Sequence, residues 1–507
     1  MTGEISSLFA VAAALAGGAR WLRIAQREHY LPGSVTRFAV RWWRARPDNK
    51  ALGVAMVLGV CAAWAGWWEG TAIAGALSLV APRGLSYRGR SAKLRWTPRL
   101  KRLAVTSALC VVLCGVLGGV LGVLAGVAAA LAFVAPALVD VALYANAPFE
   151  RRSGAGFLKD AARKLEKVSP RVVAITGSYG KTSTKAYVAH LLSAKYVALP
   201  SPKSFNNAAG LSRAVNDNLR DNTEVFVAEM GTYGPGEIKA LCQWLNPEIS
   251  VITAIGPVHL ERMGSLDNIA RAKAEILERA PTGVLNVDDE RLAVIAEEYQ
   301  KKDRRLIRCS TQDLSADVCV RAESDKLDVL VHGHSIGTTV MPGIFPGNVA
   351  CAVGVALAMD VSTADIAALL PTLENPKNRQ GIETAPNGVI FIDDTYNSNP
   401  AGSTGALATL QKLGARQRRV VVTPGMVELG AEQFTANETF ARQAANVATD
   451  IVIVGLTNRR ALMSGATGGQ ARIVGCASRG EAVSWVRDNL TSGDVVLYEN
   501  DLPDHYP

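Results

Sequence analysis

Val172-Val173-Ala174-Ile175-Thr176-Gly177-Ser178-Tyr179-Gly180-Lys181-Thr182-Ser183 decides how the rest of the chain is read. Its first four residues are apolar and mostly β-branched, the pattern of a short buried strand. A glycine turn follows, and residues 182–193 read as a helix. Glycines let the backbone turn tightly and present N–H groups to phosphate oxygens. The helix N-terminus adds the positive end of its dipole. Lys181 would neutralise the outer phosphates and Thr182 would hold Mg²⁺. The longer P-loop spacing wants a glycine five residues before Gly180, where Ile175 stands, so this is the shorter GxxGKT form. Alone, those six positions suit an ordinary turn. Between a strand and a helix they make Gly177, Ser178, Tyr179, Gly180, Lys181, Thr182 and Ser183 candidate ATP contacts.

Downstream the pattern keeps alternating. Residues 225–228, 249–254 and 283–286 read as strands, and 266–279 as a helix. A β-rich stretch, 319–340, precedes a helix near 349–359. Residues 389–392 open a second set, continued by strands at 419–423, 450–454, 472–474 and 494–497. Strand–helix alternation implies parallel sheets covered on both faces. A boundary falls near Gln380, giving a central α/β P-loop domain over 171–380 and a Rossmann-like α/β domain over 381–507.

Upstream the composition changes. The chain has 507 residues, net charge +9, 49% hydrophobic residues and mean hydropathy +0.14. Residues 1–150 hold 16 Lys and Arg against 6 Asp and Glu, and the remainder holds 38 against 39. The positive excess therefore sits in the first third, which is apolar over 6–18, 51–82 and 103–145. A spanning helix needs ~20 apolar residues. The third run fits a two-helix hairpin bending within 117–125. The second is open between one tilted helix and a tight hairpin or re-entrant pair. The loops 20–50 and 83–102 carry almost all the Lys and Arg, and basic loops stay in the cytoplasm. Both loops inside requires an even number of crossings between them. The reading is about five spans in the plasma (inner) membrane, N-terminus outside, catalytic domains cytoplasmic. Seven of the nine Trp lie here, several suited to interfacial belts. Residues 151–170 form a basic, amphipathic linker. Charge confined to a membrane third excludes a nucleic-acid partner, and the hydropathy excludes a disordered chain. The eight Cys are scattered without a CxxC pair, which fits a reducing compartment and gives no zinc framework.

The short loop is followed by SFNNAAGLS, AEMGTYGPGEI, AIGPVHLERMGS, IARAKAEIL, LNVDDE, KNRQG, IDDTYNSNP and MVELG. In this order the segments resemble the Mur ligases, and among them the branch that adds D-alanyl-D-alanine. The resemblance implies an ATP-dependent ligase of acid and amine acting through an acyl phosphate, with ATP and Mg²⁺ as cofactors. It implies Lys181, His259 and Lys273 as catalytic residues, with Thr182, Glu229, His259 and a carbamylated Lys273 around the metals. Glu229 follows a strand at the edge where open α/β sheets bind ligands, and a hard carboxylate suits Mg²⁺. Asn286, Arg379, Asp394 and Asn397 match ATP contacts, Asp394 being the residue that meets the nucleotide and Lys181 on domain closure. Asn206, Asn207, Tyr396 and Asn399 match the substrate side.

Two departures accompany the resemblance. Members of this branch begin with a soluble domain that grips the UDP of a nucleotide-sugar substrate, whereas this chain begins with the membrane third. A membrane lipid partner, or a lipid-linked carboxylate substrate, follows as an expectation. After the last strand the branch carries a Lys-Gly-Ser-type motif; here stand Glu499-Asn500-Asp501. Those acids either meet a cationic amine or form a solvated tail. Two alternative functions stay open: a ligase for another acid such as a poly-γ-glutamate-type polymer, and a membrane P-loop ATPase or transporter without ligase chemistry.

Overall fold

The structure is a computed structural model describing residues 2–87, 94–202, 204–323, 326–340, 343–376, 379–396, 398–414, 417–502 and 506. It contains two compact units, one built mainly of residues 1–154 and one spanning Ala155–Asp501.

The first unit is helical: Thr2–Arg27, Ser34–Ala45, Pro47–Trp64, Trp68–Val80, Pro98–Val120 and the start of Leu124–Val168. The run at 51–82 breaks at 65–67, and the run at 103–145 turns at 121–123, inside the expected bend. Small residues bring these helices together. A Cβ on Gly17 or Gly59 would sit 3.0 Å from the backbone oxygens of Ser78 and Gly70 respectively. Such residues let helix backbones approach closely. Helix Pro98–Val120 instead exposes Val105, Leu109, Val112, Leu113, Val116, Leu117 and Val120. Among the described residues three helices are long and apolar enough to cross a membrane: Thr2–Arg27, Pro98–Val120 and Leu124–Glu150. Helix Trp68–Val80, with 13 residues, rises only about 20 Å. Asp140, one of two acids inside the apolar runs, is buried and caps helix Ser34–Ala45. Its carboxylate accepts from the N–H groups of Gly33, Val35 and Thr36 at 2.8, 3.3 and 2.7 Å. That helix buries Val35, Phe38 and Trp42 and exposes Arg37, Arg41 and Arg44.

The second unit holds two sheets. The larger contains β1 (Arg171–Thr176), β2 (Ala198–Pro200), β3 (Val225–Glu229), β4 (Ile249–Ile252), β5 (Thr282–Asn286), β6 (Arg305–Ser310), β7 (Val318–Glu323), β8 (Lys326–Val331) and β9 (His334–Val340). Their order is β2-β3-β1-β4-β5-β6-β7-β8-β9. β2 through β7 pair in parallel; β7, β8 and β9 form the antiparallel meander foreshadowed by the β-rich stretch. One core, with Tyr187, Val188, Leu191 and Val349–Met359 side chains, covers one face. A second, with Leu211, Leu241, Ile269 and Leu292, covers the other. The smaller sheet contains β10 (Gly381–Thr384), β11 (Ile390–Asp394), β12 (Arg419–Thr423), β13 (Asp450–Val454), β14 (Arg472–Cys476) and β15 (Val495–Glu499), ordered β10-β11-β15-β12-β13-β14. Only β10 is antiparallel to its neighbour.

Three details go beyond the sequence reading. Residues 151–168, expected as a linker, are helical as the end of helix Leu124–Val168, and Ala161 and Leu165 join the core of the larger sheet. The helix expected over 266–279 ends at Ala274, continuing as a 3₁₀ turn, Glu275–Leu277. Strands β2, β6 and β10 carried no clear sequence signal: β2 has three residues, β6 mixes Arg into its apolar run, and β10 is largely exposed.

Candidate active site

Strand β1 is buried along most of its length and delivers the chain to the glycine turn. Gly180 has φ 78°, and a side chain there would overlap the Asn348 amide. Glycine is therefore required by both conformation and space. The loop is tied to the segment after β4. Ser178 Oγ accepts from Gly256 N and donates to Gly256 O, both at 3.0 Å, and Thr253 Oγ1 donates to Tyr179 O. Lys181 Nζ donates to Gly177 O at 2.6 Å and Ser178 O at 3.3 Å, holding the ammonium over the loop. Burial pushes the Lys181 ammonium down to about 8; Glu229 opposes this and Arg379 adds to it. An arriving phosphate would favour the charged form and oppose that shift.

Strands β3 and β4 flank β1, so their C-terminal ends lie on either side of the loop. Glu229 ends β3, opposite Ile175, and is buried. Its carboxylate accepts from Thr182 Oγ1 and Lys185 Nζ, each at 3.0 Å, and from Asn206 Nδ2 at 3.3 Å. Thr182 and Glu229, the expected Mg²⁺ contacts, are therefore in direct hydrogen-bond contact with each other. His259 follows β4 in the left-handed region, φ 63°, with Nδ1 2.7 Å from Glu428 Oε2. Lys273 is 3% exposed and has no ion-pair partner among the described residues. Burial, then the charge of Lys181, drives its ammonium well below the usual lysine range. The neutral amine is the form that reacts with CO₂, and a buried lysine shifted in this direction suits a carbamate. Among the described residues no three His, Cys, Asp or Glu side chains gather to hold a metal.

Next to the loop lies a cavity of about 320 Å³ lined by Gly180, Ser183, Asn286, Arg379, Asp394 and Asn399, among others. It unites candidates from both sheets. Burial raises the Asp394 carboxyl to about 6, opposed by Arg379. Asp394 does not engage Lys181, whose bonds go to its own loop; its contact is Gln380 Nε2 at 3.4 Å. Arg379 donates to Tyr396 O at 2.8 Å and stacks 4.7 Å over the Tyr396 ring, while the Tyr396 hydroxyl meets Ser204 Oγ at 2.7 Å. Two predicted substrate contacts serve as helix caps. Asn207 accepts from Gly210 N and Asn399 from Gly402 N, both at 2.9 Å. Asn397 lies outside the described residues.

Sequence reasoning missed several participants. Lys185 stands within the GKTSTK run, one turn past Thr182, and only the fold shows its ammonium on Glu229. Glu428 lies in the quoted MVELG segment but carried no role. Glu499 is neither a substrate contact nor part of a solvated tail. It is fully buried at the end of β15 and accepts from Thr423 Oγ1 at 2.8 Å and from Ser398 Oγ. Asn500 Nδ2 donates to Gly425 O at 2.7 Å, and Asp501 pairs with Arg479.

Residues 175–356 match the Mur ligase middle domain, and 379–498 match the Mur ligase, glutamate ligase domain. The UDP-N-acetylmuramoyl-tripeptide--D-alanyl-D-alanine ligase of Mycobacterium tuberculosis is 31% identical over 381 residues, covering 68% of this chain and 74% of that one. The chain belongs to the Mur ligase family. Among solved structures, MurF from Acinetobacter baumannii superposes with TM-score 0.58 at 26% identity, over 69% of this chain and 77% of that one. MurF from Thermotoga maritima in complex with ADP shares the fold, with TM-score 0.58 at 23% identity over 69% and 80%. This Mur ligase is accordingly an ATP-dependent amide ligase, and the reading as a transporter without ligase chemistry is set aside. Both domain matches lie after residue 174.

Proposed function

We propose that this Mur ligase is membrane-anchored and, like MurF, joins an amino acid or dipeptide amine to a carboxylate of a cell-envelope precursor through an acyl phosphate. The observation that carries the proposal is the placement of the GxxGKT loop, Glu229 and His259 after the neighbouring strands β1, β3 and β4, with the buried Lys273 close enough to feel the charge of Lys181. In this reading the loop N–H groups and Lys181 bind the nucleotide phosphates, and Asn286 and Arg379 bind the rest of ATP. Thr182 and Glu229 would hold one Mg²⁺, His259 and carbamylated Lys273 a second; bound metal supplies charge neutralisation for phosphoryl transfer. A substrate carboxylate attacks the γ-phosphorus and ADP leaves. The amine then attacks the acyl carbon and phosphate leaves. The chain's contribution is positioning, and closure of the two sheets around the cavity excludes water that would hydrolyse the acyl phosphate.

The working division is a membrane domain over 1–150, a linker over 151–170, and catalytic domains over 171–380 and 381–507. The apolar exposed face of Pro98–Val120 supports immersion in lipid. Three helices are long enough to span, and Trp68–Val80 falls short of the ~30 Å hydrocarbon core. The fit is three crossings plus a re-entrant pair at 47–80. Three is odd, as five was, so the orientation from the basic loops is unchanged: N-terminus outside, catalytic domains in the cytoplasm. A membrane-held carboxylate substrate follows from that placement.

The test is full-length protein in detergent, assayed for ADP, phosphate and product with pairs of acids and amines. D-alanyl-D-alanine is the first amine to try, with UDP-linked and lipid-linked peptide acids in parallel. Turnover requiring both an acid and an amine supports the proposal. Hydrolysis of ATP indifferent to both overturns it.

A further inference from the structure

The MVELG segment has a structural logic that the nucleotide site does not use. Residues 424–429 are pinned from inside the smaller-sheet domain. Buried Asn437 accepts from Met426 N at 2.7 Å and donates to Met426 O at 2.9 Å, while Asn458 Nδ2 donates to Pro424 O and Met426 O at 3.0 and 2.9 Å. Leu429 is buried. From this fixed base Glu428, with φ 66°, reaches His259, with φ 63°. Two residues that carry side chains thus sit in the left-handed region and face each other across the domain boundary. Such conformations are costly for residues with side chains and persist where the surroundings over-determine them. Around the pair, the Tyr233 ring packs edge-on against the imidazole at 5.0 Å, and Arg262 lies 4.7 Å over Tyr233. On the next turn, Gly430 sits close against the Glu261 backbone.

We infer that Glu428 is a positioning residue that orients His259 for metal from the opposite domain, a carboxylate–histidine–metal triad assembled only when the domains meet. The inference rests on the proposed role of His259 as a metal ligand. A carboxylate can only accept, so Nδ1 carries the proton and Nε2 keeps its lone pair for a cation. The two partners are 169 residues apart and belong to different domains. The second metal position is therefore complete only in the closed arrangement. By linkage, metal binding favours closure by the same factor that closure favours metal.

The test is Mn²⁺ binding to the full chain in detergent with ADP, read by electron paramagnetic resonance, for wild type, Glu428→Ala, Glu428→Gln and His259→Ala. A fluorescence pair, one dye on each catalytic domain, reports closure with and without EDTA. We expect Glu428→Ala to weaken one Mn²⁺ by about 10–100-fold and leave the other unchanged. The Gln variant, whose amide oxygen still accepts from Nδ1–H, should recover most of that affinity. Unchanged Mn²⁺ binding in Glu428→Ala, while His259→Ala loses one ion, overturns the inference. A change in metal-free closure without a change in Mn²⁺ affinity also overturns it, since that marks a simple latch. Two normal Mn²⁺ sites in His259→Ala overturn the ligand role of His259 itself.

Discussion

Replacing Glu499 by Gln is expected to stabilise the protein, and to do so only at high pH. The side chain is fully buried at the end of β15, beside its register neighbour Asp394. Burial pushes its carboxyl from 4.5 up to about 8; the Thr423 hydrogen bond opposes the shift and Asp394 adds to it. The folded state therefore holds this proton over a range in which the unfolded chain has released it. Stability from this group is full below pH 4.5, falls as pH rises through the window, and levels off above about 8. At ~1.4 kcal/mol per unit the loss reaches up to about 5 kcal/mol. Gln cannot ionise. Its oxygen can accept from Thr423 Oγ1 while its amide donates to Ser398 Oγ, so the local bonds survive. Thermal unfolding of both proteins in one detergent should show equal Tm near pH 4.5. At ~2 °C per kcal/mol the gap should widen to about 10 °C at pH 9, with the Gln variant higher. A gap that does not depend on pH, or a Gln variant less stable at pH 9, would refute a proton held on Glu499.

Other outcomes are equally specific. Lys181→Ala should abolish ATP turnover while leaving Tm nearly unchanged, since its partners are carbonyls of its own loop; ADP release measures the first and a melt the second. Lys273→Met should remove activity, whereas wild type should lose activity in CO₂-free buffer, regain it with bicarbonate, and show a carbamate carbon by ¹³C NMR. Gly180→Ala should cost more than about 1 kcal/mol of stability and weaken nucleotide binding, because φ 78° and the Asn348 amide both exclude a side chain. Cysteine-accessibility mapping in cells should label a cysteine placed at 121–123 from outside but not one at 65–67. Equal external labelling at both would restore five crossings.

Much of the catalytic fold was legible from residues 172–183 outward. A β-branched run, a glycine turn and a helix start are local backbone signals that need no partner to be read. The same holds for the charge asymmetry between the loops and the apolar runs of the first third. Weak strands such as β2 and β6 were not legible, because neighbouring strands hold them more than their own residues do. The run at 51–82 was open between one tilted helix and a hairpin; the structure breaks it at 65–67, and the two helices so formed approach closely at Gly59 and Gly70.

The sequence by itself determined the phosphate loop and the alternation that makes the sheet parallel, and its resemblance to the Mur ligases singled out Glu229, His259 and Lys273 as candidates. Only the tertiary structure decided what those groups face. Strand order places β3 and β4 on either side of β1, and so brings Glu229 under Thr182 and Lys185. Domain packing sets Glu428 on His259, and burial makes Glu499, at the end of β15, an interior hydrogen-bonded tie. The physical reason is range: propensity and periodicity act over a few residues, whereas desolvation and side-chain pairing depend on contacts made between distant segments of the chain.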